Sequence, residues 1–318
     1  MEKILITGGF GYIGGRIVTY LLSEGYHVII ATRMRPSQLP IGFESVECIT
    51  INNFNCEKLK NAVSNVDYII HLAAMNEIDS AKNPSDAVLV NIVGTMDILN
   101  ICINSGCKRF IYLSTAHIYG APLKGFLNED SLPRPTHAYS ITHRAAEDFV
   151  IEALDKKKIL GIIVRLSNAF GYPVYSTVNR WTLLVNDLCK QAVTNRSLKL
   201  ASSGIQIRDF IPLQDVCRGV GHLLRLDADQ LKGGIFNLGS GKSVSVKYMA
   251  ITVQRLCEMT LGFTPSIICP EPGPNENADQ LFFSVDKLIN TGFKLSECGD
   301  QEISRLLMLC NQWFGVCK

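Results

Sequence analysis

The stretch Thr7-Gly8-Gly9-Phe10-Gly11-Tyr12-Ile13-Gly14 decides how this chain folds. It follows the apolar run Lys3-Ile4-Leu5-Ile6 and leads into residues 13–23, where apolar side chains recur at helical spacing. Strand, glycine turn and helix in that order open a βαβ unit. The glycines at 8, 11 and 14 are spaced G-x-x-G-x-x-G. Without Cβ atoms the chain can turn tightly, admit a pyrophosphate to its backbone and pack helix closely on strand. The amides of the helix N-terminus then face the phosphates. A dinucleotide site on Gly8, Gly11, Tyr12, Ile13 and Gly14 is the expectation.

Beyond the turn the pattern repeats. Apolar runs at 27–31, 67–72, 109–114 and 160–166 read as strands, and 56–63, 86–104 and 140–154 as helices. Nearly continuous Ile/Val/Leu strands are buried on both faces, so the expected fold class is α/β, a doubly wound parallel sheet. After Gly171 the alternation weakens and prolines gather at 265, 270, 272 and 274. The expected division is a dinucleotide-binding domain over 1–170, with strands returning to it from about 205–240. A smaller, mainly substrate-binding lobe occupies 171–318.

Ligands of such sheets bind at the carboxyl ends of the strands. An NAD site usually ends its second strand, about 20 residues past the turn, with an acidic residue on the ribose. Here that strand ends in Thr32-Arg33, with Arg35 close behind. A neutral residue followed by arginine spares a 2′-phosphate from repulsion and offers it a bidentate donor, which favours NADP, with NAD possible.

The net charge is +2, from 31 basic and 29 acidic residues, and Lys156-Lys157-Lys158 is the densest basic cluster. Nothing there proposes nucleic acid or an anionic membrane as partner. No uninterrupted apolar run of about 18 residues occurs, so no membrane-spanning helix is expected. The eleven cysteines are scattered without a C-x-x-C or zinc-ligand spacing. They read as reduced thiols of a cytoplasmic protein, with no metal site. The N-terminus shows no signal-peptide pattern.

Four segments together resemble the extended short-chain dehydrogenase/reductase family, in its nucleotide-sugar epimerase, dehydratase and reductase branch. They are the glycine turn, His71-Leu72-Ala73-Ala74, Ser114-Thr115-Ala116-His117-Ile118-Tyr119-Gly120 and Tyr139-Ser140-Ile141-Thr142-His143. The likeness continues through Asn91 to Thr95, Arg165 to Gly171, Arg208-Asp209-Phe210-Ile211 and Asn237 to Gly241, nearly the whole chain. The resemblance implies a Rossmann fold. It also implies that Tyr139 exchanges a proton with a sugar hydroxyl or ketone while Thr115 holds the same oxygen. Leu72, Ala73, Ala74, Asn91 and Asn52 would contact cofactor; Asn168, Arg208, Met75 and Asn76 would contact a nucleoside-diphosphate sugar. The segments 75–81 and 170–180 would line the sugar pocket. Helices 86–104 and 140–154 resemble the pair that forms a homodimer interface.

The chain departs from the family at one place. Four residues after its tyrosine the family carries lysine, which holds the nicotinamide ribose and lowers the tyrosine's pKa; this sequence has His143. A working substitute that is protonated when cofactor and substrate are bound, a slow or specialised enzyme that keeps its cofactor, and a catalytically weak cofactor-binding protein are the three readings of that change. Ala116-His117 stands where 4,6-dehydratases of the family have Asp-Glu, which argues against dehydration. His117 occupies the position of an acid/base cysteine in relatives that epimerise C3 or C5, or it packs beside the pocket. The expected activity is epimerisation or 4-ketone reduction through a 4-keto sugar. The enzymatic alternative is a reductase or dehydrogenase of a small carbonyl substrate.

Overall fold

A computed structural model describes residues 1–33, 39–274 and 276–315. Seven parallel strands form the main sheet, in the order Ile235–Leu238, Leu160–Leu166, Arg109–Thr115, Tyr68–His71, Lys3–Thr7, His27–Thr32, Glu47–Thr50. Successive side chains of a strand point to opposite faces. Ile4 and Ile6 therefore pack beneath Ile17, Val18 and Leu21 of the helix Tyr12–Ser23, with Val216, Val220 and Leu223 of Leu213–Arg225. Leu5 points the other way, toward Leu59, Ile98, Cys102, Ala146 and Val150 of the helices Glu57–Val63, Gly94–Ser105 and Ala138–Asp155. Each such side chain contributes roughly 1.5–3 kcal/mol on burial, so a sheet apolar on both faces holds helices on both. The expected doubly wound α/β fold is present.

Strand order reverses beside Lys3–Thr7: the chain first builds outward to Glu47–Thr50, then crosses to Tyr68–His71 on the other side. The edge strand Glu47–Thr50 has no run of buried residues, which is why its sequence did not mark it. A third core lies among the helices Leu184–Asn195, Val246–Leu261 and Gly299–Phe314, around Leu188, Ala192, Val253 and Leu306. Of the strands expected to return, Ile235–Leu238 joins the main sheet. Ile207–Pro212 instead pairs with Asn168–Phe170 and Ser243–Ser245. Because Asn168–Phe170 directly continues Leu160–Leu166, this small sheet sits past the carboxyl edge of the large one. Three contacts fasten the C-terminal half onto the glycine turn and the helix that follows it. Tyr12 Oη donates to the Gly171 carbonyl at 3.0 Å, Tyr175 Oη to the Phe10 carbonyl at 2.7 Å, and buried Arg16 pairs with Glu302 at 2.5 Å.

The helical run Pro84–Ser105 contains a π-turn over Val88–Val93. By length and mean hydropathy, 1.6 over an 18-residue window, it is sufficient to cross a membrane. The expectation of no membrane-spanning helix is not overturned, because a helix buried against a sheet meets the same length and composition. Its hydropathy has a local cause, since Ile98, Leu99, Ile101 and Cys102 are buried against the sheet.

Candidate active site

A cleft of about 1270 Å³ runs along the carboxyl edge of the sheet, across the point where strand order reverses. At one end lies the glycine turn. Gly8 has φ of +72°, and a Cβ on Gly14 would strike the Gly8 carbonyl, so both positions require glycine. The helix that follows has Gly11 as N-cap and no capping side chain. Its first amides, on Tyr12 and Ile13, are thus left for an anion. The Tyr12 phenol itself points away, bonded to Gly171, so only its backbone serves the cleft. Thr32, Arg33 and Asn52 line the far end, and Leu72, Ala73 and Ala74 form the wall opposite the turn. The amides of Leu72 and Ala73 both donate to Thr7 Oγ1 at 3.1 Å, which fixes that wall. These residues fit a bound dinucleotide. Arg35 lies outside the described residues.

Asn91 is the exception among the expected cofactor contacts. It is buried behind the cleft, accepting from the Met75 amide at 2.7 Å and donating to Thr142 Oγ1 at 2.9 Å. Asn91 lies within the π-turn and braces Met75 and the helix of Tyr139 through these two bonds, and it does not line the cleft.

Thr115 ends its strand and Tyr139 opens its helix, and both line the cleft, with the Thr115 hydroxyl near enough to favour ionisation of the phenol. His137 caps that helix, its Nδ1 accepting from the Ser140 amide. The rings of Tyr139 and His143 lie 4.2 Å apart between centroids, the spacing expected of residues one helical turn apart. Burial raises the Tyr139 phenol above its ordinary value; Arg180 and Thr115 oppose that rise, and Glu77 adds to it. Burial lowers His143 to about 4, so in the ligand-free chain the ring is neutral at pH 7. A lysine at this position would be charged at pH 7, and this imidazole without a ligand is not. Arg144 cannot replace it either, being paired with Glu147 and Asp148. His117 is also lowered by burial, with Glu77 opposing and His137 and Arg208 assisting.

His71, bonded to Thr7 and Thr95, is lowered by burial to about 3. Burial of these two imidazoles couples stability to pH. Unfolded histidines titrate near 6.5. Between pH 6.5 and 4 the unfolded chain binds protons that folded His71 and His143 refuse, so stability falls as pH falls. At about 1.4 kcal/mol per pH unit and histidine, the loss reaches the order of 5 kcal/mol by pH 4. Above 6.5 the two histidines add no pH dependence. Denaturant titrations from pH 7 to 4 should show this slope, and His143→Phe should reduce it. A flat profile would mean that the histidines are solvated.

On the substrate side, Met75, Asn76, Asn168 and Arg208 all line the cleft. Asn76 is committed as an N-cap, accepting from the Asp79 amide, and Asn168 Nδ2 donates to the Asp209 carbonyl. Their neighbours decide the state of Arg208. Asp209 is held by Ser167 and Ser240, and Asp215 pairs with Arg218 at 2.5 Å. Arg208 is left with no hydrogen-bond or ion-pair partner among the described residues. Arg180 also lines the cleft unpaired among them, and Glu77 is the acidic side chain near Tyr139 and His117. Sequence reading reached the segments holding Glu77 and Arg180 but did not single these residues out. Their charge inside an apolar-walled pocket was the available signal.

The model of the "NAD dependent epimerase/dehydratase family" matches residues 4–239. The chain is 27% identical over 273 residues to the dTDP-D-glucose 4,6-dehydratase of Mus musculus, covering 81% of this chain and 74% of that protein. It is 27% identical over 285 residues to the UDP-glucose 4-epimerase of Halalkalibacterium halodurans, covering 84% and 83%. Among solved structures it is similar to TunA, an NAD-dependent NDP-hexosamine 5,6-dehydratase, with a TM-score of 0.78, 25% identity and 98% of each chain covered. The UDP-glucose 4-epimerase of Thermotoga maritima superposes with a TM-score of 0.80 over 98% of this chain and 99% of that one. At 20% identity this shows the fold alone. With its glycine turn, Thr115 and Tyr139 on one cleft and three quarters of its length matched, the chain belongs to the NAD-dependent epimerase/dehydratase family.

Proposed function

We propose that the chain is an epimerase or 4-ketoreductase of a nucleoside-diphosphate sugar, working through a 4-keto sugar. The carrying observation is the meeting of Tyr139 and Thr115 at the sheet's carboxyl edge, in one cleft with Arg208 and Arg180, whose side chains have no partner among the described residues. When bound, the nicotinamide supplies hydride transfer. Tyr139 removes or returns the proton of the sugar oxygen, and Thr115 orients that oxygen. Arg208 meets the diphosphate with charge-assisted bonds. Arg180 offsets the negative charge of ionised Tyr139 across the cleft. Ala116, buried and apolar, gives no acid for eliminating water. For the cofactor we propose NADP ahead of NAD, on the support of Thr32 and Arg33 at the cleft's end. Homodimers through the helices of Val88 and Ile141 are part of the same reading, supported by the exposure of both side chains. No nucleic acid or membrane partner is proposed.

To test the reaction, the purified protein is given NAD or NADP with a set of nucleotide-sugars. New sugar signals by NMR, or absorbance at the reduced-cofactor band, are the expected result. Free sugars and small carbonyl compounds serve as competitors; faster turnover of the latter would overturn the sugar reading. Arg180→Met should move the rising limb of the pH–rate profile up by about one pH unit, as loss of a charge several ångströms away predicts. Arg180→Lys should largely restore it. An unmoved limb would separate Arg180 from Tyr139.

A further inference from the structure

His143 Nδ1 lies 2.9 Å from the backbone carbonyl oxygen of Tyr139. A carbonyl can only accept, so Nδ1 carries the hydrogen. A neutral imidazole has one N–H, which leaves Nε2 as a bare lone pair. Nε2 has no partner among the described residues, is not sealed off by protein, and belongs to a residue that lines the cleft. The lone pair therefore opens into the cleft. Among the described residues no carboxylate is paired with the ring to hold a second proton. Its ring neighbours are Tyr139 and, at 5.9 Å, Tyr112, with His71 behind and His137 along the helix. The ring is buried within this apolar and aromatic shell.

We propose that His143 presents Nε2 as a hydrogen-bond acceptor for a ligand hydroxyl, the reverse of the donation a lysine makes from this position. Identifying that hydroxyl as the ribose hydroxyl beside the nicotinamide rests on the dinucleotide reading above; the acceptor polarity does not. A tautomer fixed by the main chain cannot switch to donation without breaking the bond to Tyr139, so the site selects a hydroxyl and rejects an acceptor-only group there. The same carbonyl bond sets the ring's orientation, which a flexible lysine stem would not have.

The test has two parts. In protein carrying ¹⁵N-histidine, two-bond proton–nitrogen spectra at pH 7 should show one His143 nitrogen protonated and the other bare. The signals are assigned by their loss in His143→Gln or, if that variant misfolds, His143→Asn. A protonated Nε2 or an imidazolium at pH 7 overturns the proposal, with no activity required. Second, NAD(P) lacking the nicotinamide-side ribose hydroxyls should bind the wild type about tenfold more weakly by calorimetry, and the difference should vanish in His143→Phe. Equal affinity of intact and deoxy cofactor removes the ribose as the partner. Failure of either dinucleotide to bind at all defeats the dinucleotide reading instead, and the tautomer still decides the polarity of His143.

Discussion

Replacing His143 by lysine should move the rising limb of the pH–rate profile about two pH units toward acid and raise turnover at pH 7 up to about 100-fold. A unit charge at ~4–6 Å with an effective dielectric of ~20 is worth ~3–4 kcal/mol, or two to three pKa units on a phenol. The Tyr139 and His143 rings pack against each other, 4.2 Å apart between centroids, which puts the substituted side chain beside the phenol, and the native imidazole supplies no charge at pH 7. Burial raises the Tyr139 phenol, so at pH 7 the scarce phenolate limits proton removal. Its fraction grows about tenfold for each pH unit by which the limb moves toward acid. The cost is local. Lysine loses the bond to the Tyr139 carbonyl, and its longer stem carries the ammonium toward the cleft, where it escapes the burial that neutralises histidine. Profiles of kcat/KM for the two proteins against one nucleotide-sugar measure the effect. Coincident limbs would show that the added charge does not reach Tyr139.

The parts of this molecule that were legible in its sequence are those whose cause is local. The glycine turn and the strands Lys3–Thr7 and Leu160–Leu166 announce themselves because burial on both faces demands continuous apolar runs. Tyr139 and His143 could be placed on one helical face by counting. What the residues could not declare was set by partners far along the chain. Asn91 sits in the motif expected of a cofactor contact, but bonds to Met75 and Thr142 take it behind the wall. Arg208 had Asp209 beside it in sequence; Ser167 and Ser240 occupy that carboxylate and leave the arginine to the cleft. Arg180 belongs to a segment expected at the pocket, and only folding shows that it reaches the cleft unpaired. The charge state of His143 depends on burial, which spacing alone does not reveal.

Tyr139→Phe should lower turnover by about 10²–10⁴-fold while leaving cofactor affinity nearly unchanged. Phenylalanine keeps the ring that packs on His143 and His137, so helix and cleft should stand. Only the hydroxyl is lost, and with it the group that exchanges a proton with the sugar oxygen. Thr115 keeps the amide of His117 as a donor to its hydroxyl, at 3.2 Å, and remains able to hold that oxygen. The defect should therefore fall on kcat, with KM little altered, because proton transfer matters in the transition state more than in binding. Neither high pH nor a second His143→Lys change should rescue the variant, since both act only by ionising the missing phenol. Single-turnover absorbance at the reduced-cofactor band, read beside calorimetric cofactor affinity, separates chemistry from binding. Wild-type turnover in Tyr139→Phe would take the phenol out of the mechanism; equal losses of binding and rate would mean that it had held the cofactor all along.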